Sequence, residues 1–162
     1  KWKTPGMDRM TPLDSKPGTY ALLLRADTLV PIDVGRLGAL IIQSGFYVYV
    51  GSALGPGGLR ARVSRHARLK KPLRWHVDYL RAVTELVEVW YAVDAVHREC
   101  EWTKVIRQLR GALMPLAGFG ASDCRCNSHL VFFHKKPTIR AFRTRLKRRI
   151  SGHGSLRCQD VI

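Results

Sequence analysis

The chain has 162 residues, 46% of them apolar, enough for one domain with a real core and too apolar for disorder throughout. Its 28 Lys+Arg against 12 Asp+Glu give a net charge of +16, which points to a polyanionic partner, chiefly nucleic acid or an anionic membrane. The longest apolar runs, 39–42 and 46–50, are far too short to cross a bilayer, and no segment has the layout of a secretory signal.

Residues 1–16, interrupted by Pro5, Pro12 and the adjoining Pro17, show no apolar period and read as an N-terminal arm. A first residue of Lys rather than Met is compatible with a missing upstream segment. Residues 18–24 are apolar after Thr19, as expected of a central strand. Residues 28–34 alternate and contain Pro31, which suggests an edge strand; the turn at 35–38 and the run 39–43 complete a hairpin. Residues 47–50 form the next strand, broken by the glycine turn 55–58.

A basic helix is expected over 59–69, with Leu59 and Val63 facing inward and Arg62 and His66 sharing one face. A short amphipathic helix follows over 75–80, a strand over 85–93, and the strongest helical pattern over 98–113, with Trp102, Val105, Ile106, Leu109 and Leu113 on one face. Then comes a long loop over 118–129, a strand over 130–133 and a second basic helix over 135–149, striped by Ile139, Phe142 and Leu146. Cys158 falls in a polar tail. Arg60, Arg65, Arg68, Lys70 and Lys71 from the first basic helix, and Arg140, Arg143 and Lys147 from the second, are candidate contacts to a DNA backbone. With so few apolar residues on the second helix, DNA is favoured over a membrane surface. Four unevenly spaced cysteines do not make a disulfide framework, so a reducing, cytoplasmic location is expected.

Two tripeptides, Gly18-Thr19-Tyr20 and Tyr49-Val50-Gly51, precede the basic helix, and Glu99 heads a later one. This order resembles the GIY-YIG nuclease superfamily. The segments 49–53, Arg65-His66, 75–80, Glu99-Cys100 and 122–130 resemble its short, largely uncharacterised Uri-type endonuclease branch. The resemblance spans 17–135 and implies an α/β (α+β) nuclease domain: a small mixed, mainly antiparallel sheet flanked by helices, with 136–162 as a basic C-terminal helix and tail. It further implies metal-dependent hydrolysis of DNA phosphodiesters, in repair or processing. Carried over by position, Tyr20 and Tyr49 would lie near the attacking water, with one as general base. Arg62 would bind the scissile phosphate, His66 would assist by hydrogen bonding, and Glu99 would hold a single Mg²⁺ or Mn²⁺. A fixed guanidinium suits the non-bridging oxygens, and a carboxylate with waters suits a hard cation. A tyrosine with an ordinary pKa near about 10 needs neighbouring cations to serve as a base. The pattern is departed from at Thr19 and in the link 21–48, which is longer than in much of the superfamily.

His76 and Asp78 read as a buried hydrogen-bonded pair ahead of a catalytic one. Cys124, Cys126 and His129, joined by Cys100 or His97, could ligate zinc. Their C-x-C-x-x-H spacing lacks a clean second pair, so the favoured role is a loop fastened near the site, with Ser128 or His129 touching substrate. The rival to a nuclease is a catalytically inactive nucleic-acid-binding module of the same fold, with a ribosomal or RNA-binding role third.

Overall fold

A computed structural model describes residues 13–121 and 124–161, so most of the expected N-terminal arm, together with Ser122 and Asp123 of the long loop, lies outside the described residues. The apolar run after Pro17 becomes strand β1 (Gly18–Ala26). It is central, flanked by β4 (Gly45–Ala53) on one side and β5 (Glu85–Val93) on the other. Strand β6 (Leu130–Phe133) continues outward from β4, and β7 (Arg157–Asp160) from β5, giving the order β6-β4-β1-β5-β7. Every pairing in this sheet is antiparallel, so the parallel component of the expected mixed sheet does not occur among the described strands. The expected hairpin forms as β2 (Val30–Asp33) and β3 (Ala39–Ile42), a separate two-stranded sheet.

Alternation along β1 divides the core into two layers. Tyr20, Leu22 and Leu24 face a layer with Tyr47, Tyr49 and Val89, covered by helix α1 (Gly58–Ala67) through Leu59 and Val63 and by α2 (His76–Arg81) through Val77 and Leu80. Ala21 and Leu23 face the other layer, with Val48, Val50 and Trp90, covered by α3 (Glu99–Ile106) and α4 (Ile139–Arg149). A strand buried on both faces requires the continuous apolar run seen in the sequence.

Two expectations are corrected. The pattern over 98–113 gives a helix only to Ile106; beyond it the chain turns, and Leu113 is exposed and pairs with Phe132 as an isolated bridge. The strand expected over 130–133 forms as β6 and is bridged on its outer side by residue 113. The polar tail holds β7, and its segment also supplies Leu156 and Val161 to the core. The described part of the segment 136–162, read as a basic helix and tail, thus contributes to both the sheet and its core. Among the described residues, no helix is long and apolar enough to cross a membrane.

Removing residues 151–162 should strip β5 of its outer neighbour and expose the sites of Leu156 and Val161. We expect a loss of about 3 kcal/mol in urea unfolding from these two side chains alone. An unchanged midpoint would show that β7 is dispensable to the fold.

Candidate active site

Gly51 is opposite Tyr20 in the β1–β4 register, and the Tyr20 ring lies across it. A Cβ at position 51 would stand 2.4 Å from the Tyr20 hydroxyl and 2.6 Å from its ring carbon, so only glycine leaves room for that ring. The ring runs toward α1, where the Tyr20 hydroxyl and His66 Nε2 share a buried 2.7 Å hydrogen bond. Tyr49, two residues before Gly51, packs edge-on to both His66 and Phe119.

These groups border a cleft of about 290 Å³ lined by Tyr20, Tyr49, Arg62, His76, Glu99 and His129, with Ser52, Arg74 and His97 among the remaining contributors. Of the five residues to which the resemblance gives catalytic roles, four line the cleft and the fifth, His66, bonds to Tyr20. They come from β1, β4, α1 and the first residue of α3. Among the described residues, Glu99 is the only carboxylate in the lining. Its side chain is about a quarter exposed, and its nearest basic neighbour is His97 Nδ1 at 3.8 Å.

The basic face of α1 is held by α2. Asp78 is wholly buried; its carboxylate accepts two bonds from the Arg65 guanidinium, at 2.8 and 2.9 Å, and one each from the Arg74 and Trp75 amides. Trp75 in turn stacks under both guanidiniums, with Arg62 4.4 Å and Arg65 4.1 Å from the ring centroid. Burial alone would raise the Asp78 carboxyl, but the Arg65 and backbone donors pull it down to about 2. Lys71 Nζ caps the end of α1 by donating to the carbonyls of Arg65 and His66, and burial drops its pKa to about 8.

The structure therefore separates the expected DNA contacts. Arg65 and Lys71 are committed to Asp78 and the helix end, and Arg143 donates to the Leu156 carbonyl. Arg68, Lys70, Arg140 and Lys147 are exposed. Arg60 lines a different groove, with Lys16 and Arg157. Ser128 is fully buried and its hydroxyl is tied to the Leu130 backbone, so of the two residues expected to touch substrate only His129 reaches the cleft. His76 and Asp78 are not paired with each other: His76 Nδ1 accepts from the Gly120 amide at 2.8 Å, which places the proton of the neutral ring on Nε2. Sequence reasoning ranked His76 as structural and passed over Arg74 and Ser52; the Trp-His-Val-Asp spacing alone carried no sign of which partner each takes.

Burial pushes both cleft tyrosines well above the ordinary phenol range. The Tyr49 and Glu99 charges add to this at Tyr20, and Glu99 adds to it at Tyr49, while Arg62 opposes the shift at both. The cations expected to lower these phenols are present but are outweighed. Burial, helped by the Lys71 cation, holds His66 neutral with a pKa of about 3.

A family model described as "Domain of unknown function DUF123" matches residues 19–152. No curated protein and no solved structure gives a match.

Replacing Gly51 by alanine should force the Tyr20 ring off His66, costing about 2 kcal/mol by overpacking. Denaturant titration checks it, and an unaltered midpoint would mean the ring moves freely. The pH dependence is equally specific. Because folding lowers the His66 pKa from 6.5 to about 3, the folded state binds fewer protons across that range. Stability should rise with pH there and be lost as pH falls from 6.5 toward 3. Asp78, lowered from 3.8 to about 2, adds a further loss only below 3.8. His66→Gln should flatten the melting-temperature slope above the Asp78 range; an identical slope in the variant would remove His66 as its source.

Proposed function

We propose that this chain, which belongs to the DUF123 family, is a GIY-YIG-like, Uri-type, metal-dependent DNA endonuclease acting in repair or processing. The observation that carries the reading is the convergence of Tyr20, Tyr49, Arg62 and Glu99 on one cleft, with His66 bonded behind Tyr20. These residues are remote in sequence, and burying both tyrosine hydroxyls beside a carboxylate and a guanidinium is a poor way merely to fill a core.

Each group has a chemical task in phosphodiester hydrolysis. Arg62 stands on its helix with its guanidinium braced against Trp75, a fixed donor for the non-bridging oxygens as negative charge builds on them. A water positioned by the cleft tyrosines attacks phosphorus; the new P–O bond forms as the bond to the leaving sugar oxygen breaks. The Tyr20 hydroxyl, held by its bond to His66, orients the water by hydrogen bonding, and the water's proton leaves to solvent through the cleft. Neither raised phenol nor His66, held neutral by burial, is a base at neutral pH, so their part is positioning, and the charge of Arg62 and of a cation that Glu99 would hold favours the hydroxide. His76 Nε2–H and Ser52 are further cleft donors suited to orient the sugar-phosphate chain.

Glu99 fits the expected cation. It offers hard oxygen donors at the cleft wall, is only loosely engaged by His97, and leaves room for waters and phosphate oxygens around a single Mg²⁺ or Mn²⁺. Such an ion supplies charge neutralisation at the leaving oxygen. The net charge of +16 supports a polyanionic substrate. The rival reading, an inactive DNA-binding module, is favoured by one observation: burial keeps both tyrosines protonated.

Labelled single-stranded, duplex and flapped DNA incubated with Mg²⁺ or Mn²⁺ separates the two readings. The wild type should cleave at least one substrate, and Arg62→Ala and Glu99→Gln should each lose about 10²–10³-fold in rate. Binding without cleavage, or equal cleavage by both variants, would leave the binding-module reading standing instead.

A further inference from the structure

The loop over 118–129, which leads into β6, carries little apolar material: Phe119 is buried, but most of the remainder is glycine, cysteine or polar. Its shape rests on a few backbone bonds: the amides of Gly118, Ala121 and Cys124 donate to the carbonyls of Asn127, Gly118 and Ala121. Yet this loop places Gly120 against Tyr49, and Cys124 and His129 in the cleft wall. Bonds from Gly120 to His76, His129 to Phe119 and Val50 to His129 tie its two ends, and Cys124 and Cys126 lie between these ties.

Three thiols and an imidazole meet at that place. Cys100 from the first turn of α3 and Cys124, Cys126 and His129 from the loop each present one donor atom, all within 4.8 Å of one another. His129 Nε2 is 3.2 Å from Cys124 Sγ and 3.7 Å from Cys100 Sγ. Donor atoms around a tetrahedral zinc, with bonds of about 2.3 Å to sulfur and about 2.0 Å to nitrogen, stand about 3.5–3.8 Å apart. Closing on an ion would thus require the widest pair to contract by at most about 1.3 Å. The four donors also satisfy a closed site, with no position left for water. His97, the alternative to Cys100 in the sequence, is largely exposed and turned toward Glu99.

We propose that Cys100, Cys124, Cys126 and His129 form a structural Zn²⁺ site that fastens the 118–129 loop to the first turn of α3. Soft thiolates and an imidazole select zinc over the hard cations that suit Glu99. The thiols give up their protons to solvent as the ion binds. Cys100 follows Glu99 directly, so the same ion fixes the start of α3 and with it the acidic wall of the cleft. The site is independent of what the cleft does, because it needs no nucleic acid to be read.

The test is metal content. Protein purified under reducing conditions without added metal should carry about one Zn²⁺ per chain by plasma mass spectrometry. Cys100→Ser and Cys126→Ser should each lose most of it, whereas Glu99→Gln should retain it. A second, exposed group, Glu88, Cys158 and Asp160, is the competing source, so Cys158→Ser should also retain it. Cobalt exchanged into the wild type should give thiolate charge-transfer bands and the intense visible bands of a tetrahedral ion, a readout that stands even where a serine variant fails to fold. Stripping the ion with a chelator should lower the melting temperature. Zinc-free wild type without thiolate–cobalt bands, equal loss in Cys158→Ser, or a disulfide mapped within the cluster in reduced protein would each overturn the proposal.

Discussion

The crossing of the Tyr20 ring over Gly51 is the constraint from which the rest of the cleft follows. One position without a side chain on β4 lets a phenol from the neighbouring strand reach over it to α1. The buried bond to His66 then sets the rotation of α1 against the sheet. Rotation sets where Arg62, one turn earlier on the same helix, meets the cleft. A larger residue at 51 would move the ring, and with it the helix and the guanidinium.

The second fixed point is the Asp78 carboxylate, which receives two guanidinium bonds and two backbone bonds with no exposure to water. A buried charge so completely paired is expensive to disturb. Its effect on the cleft is indirect: by drawing Arg65 inward it seats Trp75 beneath Arg62, and the aromatic face limits the freedom of that cleft-facing guanidinium. Two arginines of similar appearance in the sequence thus do opposite jobs, one bracing and one presented.

How legible these features were in the sequence depends on what kind of force makes each. Strands β1 and β4 were readable because burial on both faces demands continuous apolar or β-branched runs, and β5 because its apolar residues alternate with polar ones. The β2–β3 hairpin announced itself through Pro31 and its glycines. Strand β7 was not readable: Arg157, Cys158, Gln159 and Asp160 are largely exposed and are held by backbone pairing to β5, which leaves no apolar period. Helix α3 was over-extended because Leu109 and Leu113 keep helical spacing, although the chain has already turned to bring Leu113 beside Phe132. In the cleft, Tyr20, Tyr49, Arg62 and Glu99 were found through tripeptides and their order. The pairing of Asp78 with Arg65, and of Cys100 with a loop more than twenty residues away, depends on tertiary approach that spacing does not encode.

The distribution of charge carries a consequence that the net value hides. The two basic helices, which in the sequence both point to one polyanion, cover opposite layers of the sheet: α1 packs through Leu59 and Val63, α4 through Phe142 and Leu146. A straight duplex across the Arg62 and Arg74 side of the cleft therefore cannot also lie flat along α4. On the nuclease reading proposed above, either α4 would serve only to raise the general positive potential that draws a polyanion in, or a nucleic acid would bend around an edge of the sheet to engage both. The second arrangement would favour substrates that bend cheaply, such as flapped or single-stranded DNA, over stiff duplex. On that reading the placement of cations on two faces bears on substrate shape, where their number bears only on affinity.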